Sequence, residues 1–518
     1  MKITRRALLR LVGGASGTFL LRRGRGEELP RITPGPFTGT RESLTKYKIP
    51  EWLRESKFGI WSHWGPQSAV GNGDWYARNM YIEGSQQYKY HLQRFGPQSK
   101  VGYKDLVDLF TADRWDPDAL MNLYVEAGAK YFFSMGVHHD NFDLWNSKYQ
   151  PRWNAVVKGP KKDIVGLWGQ AARKRGLFFG VSEHLSNSFD WFAPSHLADS
   201  VGPNSGVPYD GSNPAYADLY HDYTGEPANF AASAEPMGRN APQRWKERYL
   251  ERIQDLIDQY HPDMLYTDGG IPFDQYGLAA VADLYNVNAK IHSGRMSAAY
   301  FSKVESDCAV GTCVLDRERG VVDGIWPEPW QTDTCIGDWH YKSGIQYKTA
   351  KKVIDLLVDI VSKNGNLLLN FPLPASGELD ADECKVLKGI TEWMSINGEG
   401  IYGSRPWKIY GEGPATEAKA GTGMNEGKKP DLTAHDYRFT TKDGSLYIFV
   451  QGWPASSCVI EALGSATAQR PGRIAAIEML GVSKSLTYKQ NETALHVTLP
   501  DQRSRASEIG VTLKVKFA

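Results

Sequence analysis

The chain has 518 residues and sets 60 Lys and Arg against 59 Asp and Glu, a formal charge of +1. That balance argues against nucleic acid or an anionic bilayer as the main partner, and the length exceeds one small domain. The 16 Trp and 26 Tyr supply flat faces of the kind that stack on sugar C–H faces, although a large core also consumes aromatics.

At the N-terminus, Arg5-Arg6 precede an apolar run from Ala7 to Leu21 that Arg10 and several glycines interrupt. This is the layout of a twin-arginine export signal, so residues 1–25 are expected to be a signal segment and the mature chain periplasmic or extracellular. The run is too short to span a bilayer and no later stretch is long and apolar enough, so no membrane insertion of the mature protein is expected.

From about Lys57 to Leu373, short apolar runs alternate with amphipathic stretches, the pattern of a parallel sheet wrapped by helices. Strands are predicted at Phe58–Trp61, Tyr131–Val137, Leu177–Ser182, Met264–Thr267, Lys290–Ser293 and Leu367–Phe371. Most run directly into chemically capable residues: His63, His138-His139, Glu183-His184, Asp268 and Arg295. Such residues at strand C-termini are how a (β/α)8 barrel assembles a site. Helices are predicted at Trp245–Tyr260 and Thr349–Lys363, each with apolar residues at i, i+3 and i+4. The Gly/Pro/Ser/Asn-rich excursion Phe189–Arg239 reads as a long loop shaping access to the barrel mouth.

After Trp393 the texture changes to short alternating segments with turns. Tyr437–Thr440, Leu446–Val450, Ala475–Met479, Ala494–Leu499 and Val511–Val515 read as antiparallel strands of a C-terminal β-sandwich. The Gly-rich stretch Gly411–Lys429 reads as a surface loop. The predicted organisation is therefore α/β, a (β/α)8-like TIM barrel over residues 40–405 followed by a sandwich over 406–518. Five scattered cysteines (Cys308, Cys313, Cys335, Cys384 and Cys458) have no metal-like spacing. They allow one disulfide among the first three, or free thiols.

Among the polar strand ends, Asp268 is the strongest nucleophile candidate. It follows the apolar run Met264-Leu265-Tyr266 and precedes Gly269-Gly270, which would let a substrate approach closely. His63, His138 and His139 invite a zinc reading as well, but no ligand spacing supports it, and no metal or cofactor is expected.

Four blocks resemble glycoside hydrolase family 29, the α-L-fucosidases. They are Lys57-Phe58-Gly59-Ile60-Trp61-Ser62-His63-Trp64-Gly65 with Asp74 to Tyr81, His138 to Trp145, Tyr266-Thr267-Asp268-Gly269-Gly270, and Ser362 to Asn370. The resemblance spans roughly Tyr47 to Trp407 with the blocks in order. It implies a retaining exo-glycosidase that hydrolyses terminal α-L-fucosides by double displacement, with Asp268 as nucleophile and fucosylated glycans as substrate. It carries over His63, His138 and His139 as ligands of sugar hydroxyls, with Trp75 donating from its indole. Asp74 stands where the family has a glutamate, one methylene longer. Glu183, His184, Arg295 and Trp339 are further binding candidates.

Two glutamates fall where the family places its acid/base. Glu318 lies in Asp316-Arg317-Glu318-Arg319-Gly320, and Glu328 lies between prolines near Trp326 and Trp330. Flanking arginines would lower the pKa of Glu318, and an apolar setting would raise that of Glu328. The Glu-Arg-Gly element upstream of Pro-Trp-Gln-Thr favours Glu318, with Glu328 as the alternative and Glu183 after both. Two other readings share the scaffold: an α-L-galactosidase, whose substrate adds a hydroxyl at C6, and a non-catalytic sugar-binding barrel. The sequence carries no signal for oligomeric state.

Overall fold

The computed structural model describes residues 30–222, 241–416, 421, 423–428, 430–454, 457–467, 469, 472–500 and 508–518. The signal-like segment lies outside them, as does residue 223–239 of the predicted excursion.

Eight parallel strands form a closed barrel: β1 Phe58–Ser62, β2 Tyr131–Val137, β3 Phe178–Glu183, β4 Met264–Thr267, β5 Ala299–Ser302, β6 Val314–Asp316, β7 Trp330–Cys335 and β8 Gly365–Asn370. Each pairs with its sequence neighbour, and β8 closes on β1 with Phe58 opposite Leu367 and Ile60 opposite Leu369. The interior is packed with large side chains, which two glycines accommodate. A Cβ on Gly59 would lie 2.2 Å from the Tyr131 ring, and one on Gly180 would lie 2.5 Å from that of Phe133. Any side chain at either position would therefore displace an aromatic ring of β2.

Helices cover the barrel where the apolar periodicity places them. Gln243–Tyr260 precedes β4, and Ala350–Ser362 precedes β8 with Thr349 capping its N-terminus by accepting from Lys352 N. The apolar segment Lys290–Ser293 is a correction. It is the end of the helix Gln275–Ile291 and its exposed exit, and the strand follows at Ala299. β6 and β7 escaped prediction because β6 has three residues and both strands turn Asp316, Gln331 and Asp333 into the buried interior.

The C-terminal unit begins at β9, Arg405–Glu412. It continues with β10 Tyr437–Lys442, β11 Ser445–Val450, β12 Ser457–Ile460, β13 Ile474–Met479, β14 Tyr488–Gln490, β15 Leu495–Thr498 and β16 Val511–Phe517. A five-stranded antiparallel sheet in the order β13-β16-β11-β10-β9 faces a three-stranded one, β12-β15-β14, over a shared apolar core containing Phe439, Ile448, Leu495 and Leu513. Buried charges join this unit to the barrel: Arg438 of β10 and Lys363 both bond Asp359, at 2.5 and 2.7 Å. All five cysteines are free thiols.

Part of the stretch expected to be a surface loop is pinned instead. Asn425 is buried, and residues 423–428 lie against the barrel loop that follows β6. The correction has a simple cause: Asn425 and Glu426 satisfy barrel polar groups that the sequence pattern could not reveal.

Candidate active site

The C-terminal ends of the strands converge on one cavity floor. Asp268 follows β4, and its carboxylate meets three cationic or donor side chains from three different strand ends. Lys303 Nζ lies 2.6 Å from Oδ1, while His139 Nε2 and His184 Nδ1 lie 3.2 and 3.3 Å from Oδ2. Burial alone would raise its pKa, but Lys303, His184 and His139 outweigh it and hold the carboxyl well below the usual range. Gly269 then turns the chain with φ +115°, in the region that favours glycine.

Glu318 follows β6. The same Lys303 ammonium bonds its Oε2 at 2.5 Å, and the Trp339 indole N–H donates to Oε1 at 3.2 Å. Burial raises the Glu318 pKa, and the neighbouring charges of Asp333 and Asp268 add to the rise against the opposing pull of Lys303. The arginines flanking Glu318 point elsewhere: Arg317 pairs with Glu305, and Arg319 reaches Cys335 Sγ and Gly337 O. Their predicted effect on Glu318 is therefore absent. One ammonium bonded to both carboxylates keeps them within about 5 Å of each other, close to the roughly 5–5.5 Å of retaining glycosidases.

The histidines present donors of defined tautomer. Gln67 Oε1 accepts from Ala77 N, which leaves its amide nitrogen to donate to His138 Nδ1 at 2.7 Å. The His138 proton therefore sits on Nε2, on the side of Asp74 at 3.9 Å. His139 Nδ1 donates to the His184 carbonyl at 2.7 Å, which turns Nε2 toward Asp268. Burial pushes His63 and His138 well below the usual histidine value, and His184 to about 4, so all three rings are neutral at ordinary pH. Nδ1 of His63 and Nε2 of His184 find no hydrogen-bond partner within the protein. Unsatisfied buried groups of this kind suit a hydroxyl-rich ligand.

Asp74 accepts from His340 Nδ1 at 2.6 Å, and His340 packs edge-on to His63 at 4.5 Å between ring centroids. Trp75 adopts a left-handed backbone conformation, φ +59°, unusual for a bulky residue, and stands edge-on to His139 and Trp191. Trp191 belongs to the excursion after β3 and also packs against His138 and His139, so that part of the segment does wall the mouth of the barrel.

The loop after β2 is held from beneath. Arg252, fully buried, donates to Asn141 Oδ1 at 2.6 Å and pairs with Asp143. Tyr103 donates to Asp140, and Ser188 to the His139 carbonyl. The block from Ser362 to Asn370 is likewise scaffolding. Asn366 donates to Leu53 O, while Asn370 accepts from His63 N and donates to Trp339 O, joining two site residues.

Three predicted site residues lie elsewhere. Glu328 is two-thirds exposed beside Arg54 at 3.5 Å, at the N-terminal end of β7 and so at the opposite end of the barrel from Asp268. Arg295 is exposed on the approach to β5, because the segment preceding it is helix rather than strand. Glu183 is buried but faces away from the cavity, accepting from Thr267, Tyr249 and Leu185 N. Burial pushes it to about 7 despite these bonds. His63, Asp74, Trp75, His138, His139, His184, Asp268, Glu318 and Trp339 are brought together, and Lys303, His340 and Gln67 join them without a motif to announce them.

Two histidine triads, His63/His138/His340 and His138/His139/His184, bring ring nitrogens within 4.8 Å of one another. A divalent cation and a sugar hydroxyl would use the same atoms. No helix among the described residues is long and apolar enough to cross a membrane.

The α-L-fucosidase family pattern matches residues 28–399, and the α-L-fucosidase C-terminal domain pattern matches residues 429–516. Rat tissue α-L-fucosidase is 25% identical over 90% of both chains. Human plasma α-L-fucosidase is 28% identical over 81% of this chain and 80% of its own length. Among solved structures, Thermotoga maritima α-fucosidase in complex with fucose superposes with a TM-score of 0.69 at 24% identity, covering 92% of this chain and 100% of that one. A Bacteroides thetaiotaomicron α-L-fucosidase trapped as a covalent intermediate gives 0.61 at 17%, covering 94% and 99%. The chain belongs to the α-L-fucosidase family and is a glycoside hydrolase.

Proposed function

We propose that Asp268 and Glu318 hydrolyse terminal α-L-fucosides of fucosylated oligosaccharides with net retention. The observation that carries this reading is Lys303, bonded at once to both carboxyls and so keeping them near the separation that double displacement requires. Asp268, ionised throughout the working range, attacks the anomeric carbon as the glycosidic C–O bond breaks. Glu318, its pKa raised, gives its proton to the departing oxygen. Once Asp268 is esterified its negative charge is gone, and one of the influences raising Glu318 goes with it. Glu318 then serves as the base that takes a proton from water, whose oxygen attacks the anomeric carbon and releases Asp268. The unpartnered nitrogens of His63 and His184 and the N–H of His138 supply donors and acceptors to the ring hydroxyls. The covalent intermediate trapped in the Bacteroides relative supports the two-step course.

The test uses two variants. Asp268→Gly is expected to lose about 10³-fold or more in kcat and to regain turnover with azide, releasing a β-fucosyl azide. Glu318→Ala is expected to lose far more activity on a fucosyl disaccharide than on fucosyl fluoride, because only the poor leaving group needs a proton. Near-normal activity of Asp268→Gly, or equal losses on both substrates for Glu318→Ala, overturns the assignment.

The N-terminal segment supports a second proposal, export of the folded enzyme to the periplasm or beyond. It rests on Arg5-Arg6 ahead of the apolar run Ala7–Leu21.

A further inference from the structure

Glu318 is aimed by a loop that the barrel does not hold alone. Beyond β6, Arg317 N and Arg319 N bond the carbonyls of Gln331 and Asp333, which extends the ladder to β7. The chain then turns at Arg319 with φ +43°, a left-handed conformation that a non-glycine residue keeps only when its surroundings impose it. Part of those surroundings comes from the C-terminal unit. The Arg319 carbonyl accepts from Asn425 N at 3.0 Å and from Glu426 N at 2.8 Å. The Asn425 side chain bonds both backbone groups of Val321, accepting from its N–H and donating to its carbonyl, each at 2.9 Å. A Cβ on Gly320 would sit 2.6 Å from the Gly423 carbonyl, so the two segments meet at a separation that only glycine allows. Glu426 ties the clamp to the barrel through Thr334 Oγ1 and Lys348 Nζ at 2.7 and 2.9 Å.

We propose that Asn425, from the C-terminal unit, is a positioning residue for the acid/base, fixing the aim of Glu318 through Arg319–Val321. The inference rests on Glu318 being the acid/base. Asn425 touches no atom of the cavity floor described above, and four of its hydrogen bonds converge on the catalytic loop or on its own segment: Arg319 O, Val321 N, Val321 O and Gly421 O. A carboxyl that must reach a leaving oxygen within hydrogen-bond range tolerates little displacement, since about 1 Å of misplacement costs roughly 10²-fold. Asp268 is also held by His139 and His184, which do not touch the Glu318 loop, so loosening this clamp leaves it in place.

The experiment measures Asn425→Ala and Asn425→Asp in the full chain against a fucosyl disaccharide and fucosyl fluoride, with pH profiles of kcat/KM and a thermal melt. Asn425→Asp keeps the volume and the acceptor for Val321 N but places a charge against the Val321 carbonyl, and serves if the alanine variant does not fold. The expected result is a loss of about 10–100-fold on the disaccharide with less than about 3-fold on the fluoride. The basic limb is expected to move to lower pH, because a freed Glu318 gains water and loses the burial that raises it. Equal losses on the two substrates, or an unmoved basic limb in a folded variant, would overturn the proposal. Glu318→Ala run in parallel separates the two ideas. If it shows the selective loss and Asn425 variants do not, only the positioning role fails; if it does not, the acid/base assignment fails first.

Discussion

Lys303 is the residue on which the electrostatics of the site turn. Its ammonium is buried between Asp268 and Glu318, with Asp333 at 4.0 Å, and these acids lift its pKa well above the usual lysine value despite burial. The lysine in turn pulls down both carboxyls. Removing its charge while keeping the stem, as in Lys303→Met, disfavours both ionised forms, so both pKa values rise. The acid limb, where Asp268 must be deprotonated, and the basic limb, where Glu318 must be protonated, are both expected to move to higher pH. The accompanying fall in kcat/KM is expected to be about 10²-fold, the scale for loss of one preorganised charge partner. A profile that drops in height without moving along the pH axis would assign Lys303 to packing alone. Nothing in the sequence marks this lysine. It follows a four-residue strand whose own signal is weak, and its meaning appears only when β5 is placed between β4 and β6. His340 and Gln67 were hidden for the same reason, each being a single polar residue in a loop. Asp268, His138-His139 and His184 were legible because they terminate apolar runs long enough to read as strands.

The elements themselves follow the same logic. Five barrel strands were visible from runs of apolar residues, whereas β5, β6 and β7 are short or carry inward polar side chains that mimic a loop. Glu328 was misplaced with them, since without β7 there was no way to tell which end of the strand its prolines occupied. The helix Ala381–Asn397, which leads out of the barrel, shows an element whose cap carries a cost. Asp380 and Glu383 form a capping box, with Asp380 N donating to Glu383 Oε2 at 2.8 Å. Glu383 is fully buried, its Oε1 has no partner, and burial pushes its pKa up to about 9. In the unfolded chain it ionises near 4.5. The stability it contributes is therefore present in full below that value and lost as pH climbs toward 9, because only the unfolded chain sheds the proton. Glu383→Gln keeps an acceptor for Asp380 N without an ionisable proton. It is expected to melt at a higher temperature than the parent at pH 8, to be more stable by up to about 3 kcal/mol at neutral pH, and to match it near pH 4. A melting difference that stays constant from pH 4 to 8 would show that the carboxyl does not titrate with folding.

Across the whole molecule, the two units share buried charges and the loop that carries Glu318. Asp359 takes Lys363 from the barrel and Arg438 from the sandwich, and these partners hold it below the usual carboxylate range even though burial opposes them. The sandwich is thus bonded to the barrel at the helix before β8 and again at the loop carrying Glu318. The proposed export route belongs to this level as well, since the twin-arginine pair would direct the whole chain out of the cytoplasm. Arg5-Arg6→Lys-Lys is expected to leave the precursor inside, as read by fractionation and activity; an unchanged periplasmic yield would show that the pair is not used.

The pairing of β1 with β8 has a consequence for how the enzyme is made. A ribosome delivers the first barrel strand long before its last partner, so the nascent chain carries two open sheet edges until Asn370 has left the exit tunnel. Asn425, proposed to aim the acid, emerges later still. Translation that stops between these two points yields a polypeptide that contains Asp268 but in which, on this proposal, Glu318 is unaimed. On this proposal a copy that ends before Asn425 would close its barrel yet cleave a glycan about 10–100-fold more slowly than the full chain.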